Sequence, residues 1–215
     1  MKHNFNLLKR ILSTAIISDV FDELGITGML SDKFKSNFEH AKLCGRAKTI
    51  HVVKREDNEP INSIYNGLKI YSTVKEDDVI VIKNELGHLA YWGELNTMLA
   101  LREKASGTIV DGVTRDNAQT RALDYPVFAK GRYSKDIKNH GAIHDLNCPV
   151  TIDDISIIPG NLIFGDIDGI AVIPSDREDE VIKRALEIAF NEKSLIGDIV
   201  KGLEPHSLVE KYGFF

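Results

Sequence analysis

The residues best placed by type and spacing to do chemistry lie between Tyr91 and Asp116, in the stretch YWGELNTMLALREKASGTIVDGVTRD. Gly93-Glu94-Leu95-Asn96 opens a predicted helix. Its first backbone N–H groups have no intrahelical partner and lie at the positive end of the helix dipole, an arrangement that holds a carboxylate. Thr114-Arg115-Asp116 follows the apolar run Gly107–Val110, at the strand end where open α/β sheets gather ligand groups. Arg115 offers a planar fork to a carboxylate, and Asp116 offers a hard oxygen to Mg2+ or Mn2+. Together they suit a 2-oxo acid: arginine and amides take its carboxylate while a divalent ion polarises its ketone. Plainer roles compete for the same residues. Asp116 with Gln119 approaches a capping-box pattern, Glu94 complements a helix dipole by position alone, and Arg115 is equally a surface side chain.

Two other groupings carry weaker chemistry. His140 and His144 are four apart with Asp136 four residues earlier, a spacing that on a helix would suit a metal. Gly141 interrupts that stretch and apolar periodicity is missing, so a solvated loop pair is the expectation. Lys130 follows the apolar Pro126–Ala129 and would serve a Schiff-base aldolase if desolvated, although strand-end lysines commonly extend their charge to solvent. The sequence has no GxGxxG after a strand, no P-loop, no HExxH and no GxSxG, so dinucleotide, ATP, zincin and hydrolase readings lose their main support.

The elements that must hold these residues alternate. Ser13 caps a predicted helix running to Leu24, with Gly25 as its stop. Gly45–Val53 reads as a strand, Asn62–Ser72 as a short amphipathic helix, and Asp78–Ile82 as a buried strand. A helix over Glu94–Lys104 carries Leu95, Met98, Leu99 and Leu101, and leads to the strand Gly107–Val110, ended by the Asp111-Gly112 turn signal. Pro126–Lys130, Cys148–Ile152, Ile155–Ile158, Leu162–Phe164 and Ile170–Ile173 read as short strands separated by tight turns. A long terminal helix over Arg177–Lys201 presents Val181, Ile182, Ala185, Leu186 and Ala189 on one face. The pattern is mixed α/β, and the 215 residues suit one domain over 1–215, with 177–215 a C-terminal helix and tail.

Composition narrows the classes. With 27 Lys and Arg against 32 Asp and Glu, the net charge of -5 argues against nucleic acid as a partner. Apolar runs of about four residues are far short of the roughly 20 that a membrane span needs. The start, Met1-Lys2-His3-Asn4-Phe5, lacks the apolar core of a secretory leader, and two cysteines make no disulfide framework. A cytoplasmic protein is expected.

The central segment resembles the RraA-like family, which includes 4-hydroxy-4-methyl-2-oxoglutarate (HMG/CHA) aldolases, oxaloacetate decarboxylases and regulators of ribonuclease E activity. The family signature is an acidic residue, twenty intervening residues, then Arg-Asp; Glu94, Arg115 and Asp116 reproduce it. STAIISDVFDELG is similar to the family's first long helix, Gly45-Arg46-Ala47 to its GxA strand entry, and PGNLIFGDIDGIAVIP to its PGD…DxDGV element. The resemblance covers roughly Ser13 to Gly202.

It implies a swivelling β/β/α-type fold assembled as a homotrimer or hexamer, with sites at subunit interfaces. The turn Gly93, Glu94, Leu95 and Asn96 would bind the substrate carboxylate through amides, Arg115 would bind substrate, and Asp116 would hold Mg2+ or Mn2+ with Glu94 behind it through water. Glu192 on the terminal helix, and Asp22 on the first helix, are the candidates for acids supplied by a neighbouring subunit. The implied activity is metal-dependent carbon–carbon cleavage of a 2-oxo acid with release of pyruvate, as aldolase, oxaloacetate decarboxylase or both. The alternative is a non-enzymatic protein-binding regulator of the ribonuclease E type. The sequence departs from the aldolases in carrying Glu94 where some have Asp, and in lacking an acid among Asn117, Ala118, Gln119 and Thr120. The second departure bears on aldol specificity more than on 2-oxo acid binding.

Overall fold

Ser13 and Gly25 bound helix α2 (Thr14–Leu24), as their residue types predict: the Ser13 hydroxyl accepts the Ile16 N–H at 3.3 Å, and Gly25 stops the helix in the left-handed region at φ 63°. Asp166, the buried last residue of the PGNLIFGD run, supplies a second cap by accepting the Thr14 N–H at 3.0 Å and the Thr14 hydroxyl. A short helix α1 (Phe5–Ile11), which has no clear sequence signal, precedes it. These features come from a computed structural model that describes residues 3–213; Met1, Lys2 and the last two residues of the expected tail lie outside the described residues.

The strands are β1 (Lys35–Ser36), β2 (Leu43–Lys54), β3 (Val79–Asn84), β4 (Gly107–Thr114), β5 (Val127–Arg132), β6 (Gly141–Leu146), β7 (Val150–Ile152), β8 (Ile155–Ile157), β9 (Leu162–Asp166) and β10 (Gly169–Ile173). A 3-10 helix spans Ile61–Ser72; α3 is Glu94–Arg102, α4 Asn117–Ala122, α5 Glu178–Val200 and α6 Pro205–Tyr212. The main sheet runs β1-β5-β4-β3-β2-β9-β10, and β6 also pairs with β2. Strands β2, β3, β4 and β5 are mutually parallel, while β1, β6, β9 and β10 join antiparallel. The result is the mixed α/β, swivelling β/β/α-type fold expected, with a nearly closed, barrel-like sheet.

One apolar cluster lies on each sheet face, and a third joins α2, β9, β10 and α5. On α5, Val181, Ile182, Ala185 and Ala189 are buried against α2, as their spacing predicts. Among the described residues no helix is long and apolar enough to cross a membrane.

Three local expectations are corrected. Asp111-Gly112 does not end the strand: β4 continues to Thr114, with its register to β5 shifting between Val110 and Val113. Gly112 sits at φ 152°, and a Cβ there would meet the Gly87 backbone at 2.8 Å, so the glycine marks a bulge under close backbone contact. The stretch after His140 is strand β6 rather than a loop, because Gly141–Leu146 pairs with β2. On α3, Thr97 and Ala100 face the core, whereas Leu95 (75% exposed), Met98 and Leu101 face outward.

Candidate active site

The segments that follow strands β3, β4 and β5 meet at one cleft. After β3, the Asn84 side chain closes a turn by donating to Leu89 O and accepting the Leu86 N–H, both at 3.0 Å. The chain then runs as extra rungs beside the sheet: Ala90 bridges to Asp136, and Trp92 bridges to Thr114. The Arg115 N–H donates to Trp92 O at 3.0 Å, so the start of α3 and the end of β4 are stitched together just where the chemistry-bearing residues lie.

The entry into α3 is fixed from beneath. Buried Trp92 donates its indole N–H to Thr97 Oγ1 at 2.9 Å, and Thr97 Oγ1 donates to Gly93 O at 3.0 Å. Asn96 donates its amide to Tyr91 O at 3.0 Å, and the Tyr71 hydroxyl reaches Asn96 O and Oδ1 at 3.1 Å. Burial pushes the Tyr71 phenol far above its ordinary pKa, so it stays a neutral donor. Asn96 is therefore a structural brace of the turn as well as part of its lining.

Asp116 occupies the N-cap position of α4 in the left-handed region, at φ 53°, but its side chain makes no cap bond. Oδ2 instead accepts the Glu94 N–H at 3.3 Å, across 22 residues of sequence. The capping-box reading of Asp116 and Gln119 is thus set aside. A Cβ on Gly93 would overlap Asp116 Oδ2, so the glycine is what lets carboxylate and helix start approach. Arg115 lies between two acids: Nη1 is 2.9 Å from Asp136 Oδ2, and Nε is 3.6 Å from Asp116 Oδ2.

Gly93, Leu95, Asn96, Arg115 and Asp116 line a cleft of about 410 Å3, joined by Asp136 and Lys138 and by an apolar wall that includes Ile64, Tyr65 and Leu68. Glu94 meets the site through its backbone N–H; its side chain is not part of the lining. Asp22 on α2 and Glu192 on α5 are not among the residues that line this cleft. The sequence alone did not bring Asp136 and Lys138 here, because they arrive through the Ala90–Asp136 bridge, which no local pattern encodes. Lys138 stands over the Tyr65 ring at 5.7 Å, and a hydrogen bond to Tyr65 holds its pKa above the ordinary lysine value.

The competing sites dissolve. Asp136 turns to Arg115, His144 lies on β6 with its ring 4.9 Å from that of His51, and among the described residues no group of three His, Cys, Asp or Glu side chains could hold a metal. Lys130 is paired at 2.7 Å with Asp111 Oδ1 and at 2.6 Å with Asp153 Oδ1. Burial disfavours its charge, but these two carboxylates outweigh it and hold the pKa above the usual lysine value. A protonated, doubly paired amine is no Schiff-base nucleophile.

Residues 14–172 match the family described as RraA-like (Aldolase/RraA). The chain is 35% identical over 211 residues to protein DlpA of Legionella pneumophila, covering 96% of this chain and only 34% of DlpA, so it spans about a third of that relative's length. It is 32% identical over 178 residues to a protein of Halalkalibacterium halodurans provisionally named a 4-hydroxy-4-methyl-2-oxoglutarate aldolase, covering 82% of this chain and 79% of that one. An uncharacterised protein of Pseudomonas syringae pv. tomato shares the fold with a TM-score of 0.81 at 30% identity, covering 93% of each chain. The match across most of the chain, on the fold and motif spacing described, makes this protein a member of the RraA-like family.

Proposed function

We propose that the protein is a divalent-metal-dependent carbon–carbon lyase that cleaves 2-oxo acids and releases pyruvate, as an aldolase of the 4-hydroxy-4-methyl-2-oxoglutarate type, an oxaloacetate decarboxylase, or both. The observation that carries the reading is the meeting of the α3 N-terminus, Arg115 and Asp116 in one cleft, held by the Glu94 N–H to Asp116 contact. Arg115 presents a guanidinium for the substrate carboxylate, and the amides of the first turn of α3 present a dipole end for the same group. The name of the Halalkalibacterium relative supports the same substrate class.

The donor set fits a hard cation. Asp116 is a partly exposed carboxylate, and Mg2+ or Mn2+ is commonly held by one or two carboxylates with water completing the shell. The charges of the lining lead the same way, since Asp116 and Asp136 cancel Arg115 and Lys138. A carboxylate substrate meets no net positive charge there unless a cation is added. When bound, a divalent ion would supply Lewis-acid stabilisation of the negative charge that develops on the 2-oxo group. Glu94, whose backbone N–H meets Asp116, would hold the water that returns a proton to the product carbon.

The outward Leu95, Met98 and Leu101 favour burial against another copy, and we place the protein as a trimer or hexamer whose neighbour brings Glu192 or Asp22 to the cleft. The same ridge favours the second reading, a protein-binding regulator. A pyruvate-release screen over oxaloacetate and 4-hydroxy-2-oxo acids separates the two. The lyase reading expects release with Mg2+ that a chelator abolishes; no release from any substrate, with the assembly intact, would leave the regulator.

A further inference from the structure

We propose that Asp136 is a positioning residue that keeps the Arg115 guanidinium off Asp116, so that the Asp116 carboxylate stays available to a cation; this rests on the site reading above. Arg115 has two carboxylates within reach and its side chain is 38% exposed, so nothing in its packing alone decides between them. The distances decide. Asp136 Oδ2 is 2.9 Å from Nη1, a close ion pair, whereas Asp116 Oδ2 is 3.6 Å from Nε, a looser one beyond hydrogen-bond range. Arg115 and Asp116 are neighbours in sequence, and Asp136 is twenty-one residues away from Arg115 by number, yet the distant acid wins.

It wins because Asp136 is held and Asp116 is shared. Asp136 Oδ1 accepts the Lys138 N–H at 2.8 Å. The backbone on either side is tied to Ala90, with Ala90 N–H to Lys135 O at 2.9 Å and Ile137 N–H to Ala90 O at 3.2 Å, and Ile137 is buried. One oxygen of Asp136 thus anchors the loop while the other takes the guanidinium. Asp116 Oδ2 is already engaged by the Glu94 N–H.

Without the Asp136 charge, the nearest anion for Arg115 is Asp116, and a direct ion pair there competes with any cation on the same oxygens. An exposed ion pair of this kind is worth up to about 1 kcal/mol, so the competition weakens cation binding by up to about fivefold. The step needs no covalent change. It also answers a feature of the sequence: α4 lacks an acid after Asp116, and the β5–β6 loop supplies one from another direction.

The test is a double-mutant cycle read by Mn2+ binding, followed by electron paramagnetic resonance of the free ion, in wild type, Asp136→Asn, Arg115→Ala and the double variant. Asn keeps the acceptor for the Lys138 N–H, so the loop survives. Positioning predicts Mn2+ binding weakened by up to about fivefold in Asp136→Asn and no such effect of that change once Arg115 is Ala. An equal loss in both backgrounds would reduce Asp136 to a remote charge acting on the ion and overturn the proposal. So would unchanged binding in Asp136→Asn. A second readout stands apart from the metal: the Arg115 Nε–Hε resonance should respond strongly to Asp116→Asn in the Asp136→Asn background and only weakly in wild type. If wild type bound no Mn2+, the lyase reading would fail while this resonance still decided the positioning claim; equal responses in the two backgrounds would refute it.

Discussion

A single methyl group at Gly93 tests the apposition on which the site depends. The backbone there is extended, with φ -164° and ψ -162°, which any residue adopts, so Gly93→Ala adds no backbone strain. Its whole cost is contact: the new Cβ would overlap Asp116 Oδ2 and come within 3.3 Å of Arg115 Cγ. Overpacking costs about 1–3 kcal/mol, and here the obstacle is a partly exposed carboxylate that can rotate away, so the low end applies. For a chain of this length 1 kcal/mol lowers Tm by about 2–4 °C. The rotation that relieves the clash breaks the Glu94 N–H contact and removes Asp116 from its place, so pyruvate release should fall by at least about tenfold. Thermal unfolding of Gly93→Ala, Asp116→Ala and the double variant isolates the cause. With the carboxylate gone, the methyl group should cost within about 0.5 kcal/mol of nothing. An identical penalty in both backgrounds, or wild-type activity in Gly93→Ala, would refute the reasoning.

Two further outcomes are expected. Arg115→Lys keeps the charge and loses the planar fork that Asp136 and a substrate carboxylate share, so kcat and kcat/KM should both fall with Tm little changed; an unaltered kcat/KM for every 2-oxo acid would make Arg115 a surface residue. The pairing of Lys130 with Asp153 should shape the pH dependence of stability. Burial opposes both charges, yet Lys130 and Ser31 set the Asp153 carboxyl below its ordinary 3.8, and Asp111 with Asp153 sets the Lys130 amine above its ordinary 10.5. The Asp153 contribution is present above the unfolded value and lost as pH falls through the folded one; the Lys130 contribution is full below 10.5 and lost as pH rises through its folded value. The Tm gap between wild type and Lys130→Met should therefore be widest at intermediate pH and narrow at both extremes, and a gap constant from pH 2 to 12 would contradict it.

What was legible in the sequence is what short-range chemistry encodes. Ser13, Gly25, the β-branched run at Val79–Ile82 and the apolar face of α5 each announce their element, because caps and periodicity act within a few residues. The helix–strand spacing also brought Gly93–Asn96 and Arg115-Asp116 together, since one βαβ unit carries both. Long-range pairing was hidden. Gly112 looks like a turn residue, and only the Gly87 backbone packed on it makes it a bulge. Strand β6 contains the exposed His144 and Asp145, so it shows no apolar alternation strong enough to name it. Leu95 and Met98 have the spacing of a core face, but the helix turns them outward. Asp136 reached the cleft by a bridge to Ala90, forty-six positions away by number, which neither segment signals by itself.

The most direct test of the central claim is the rate of pyruvate release by Asp116→Asn set beside its thermal stability. Asn is at home in the left-handed region that residue 116 occupies, and its amide oxygen still accepts the Glu94 N–H, so Tm should stay within about 1–2 °C of wild type. The anionic oxygen for Mg2+ is gone, and release from the best 2-oxo acid should fall by at least about a hundredfold. Wild-type release by Asp116→Asn without added metal would contradict the assignment of this cleft as a metal-dependent lyase site.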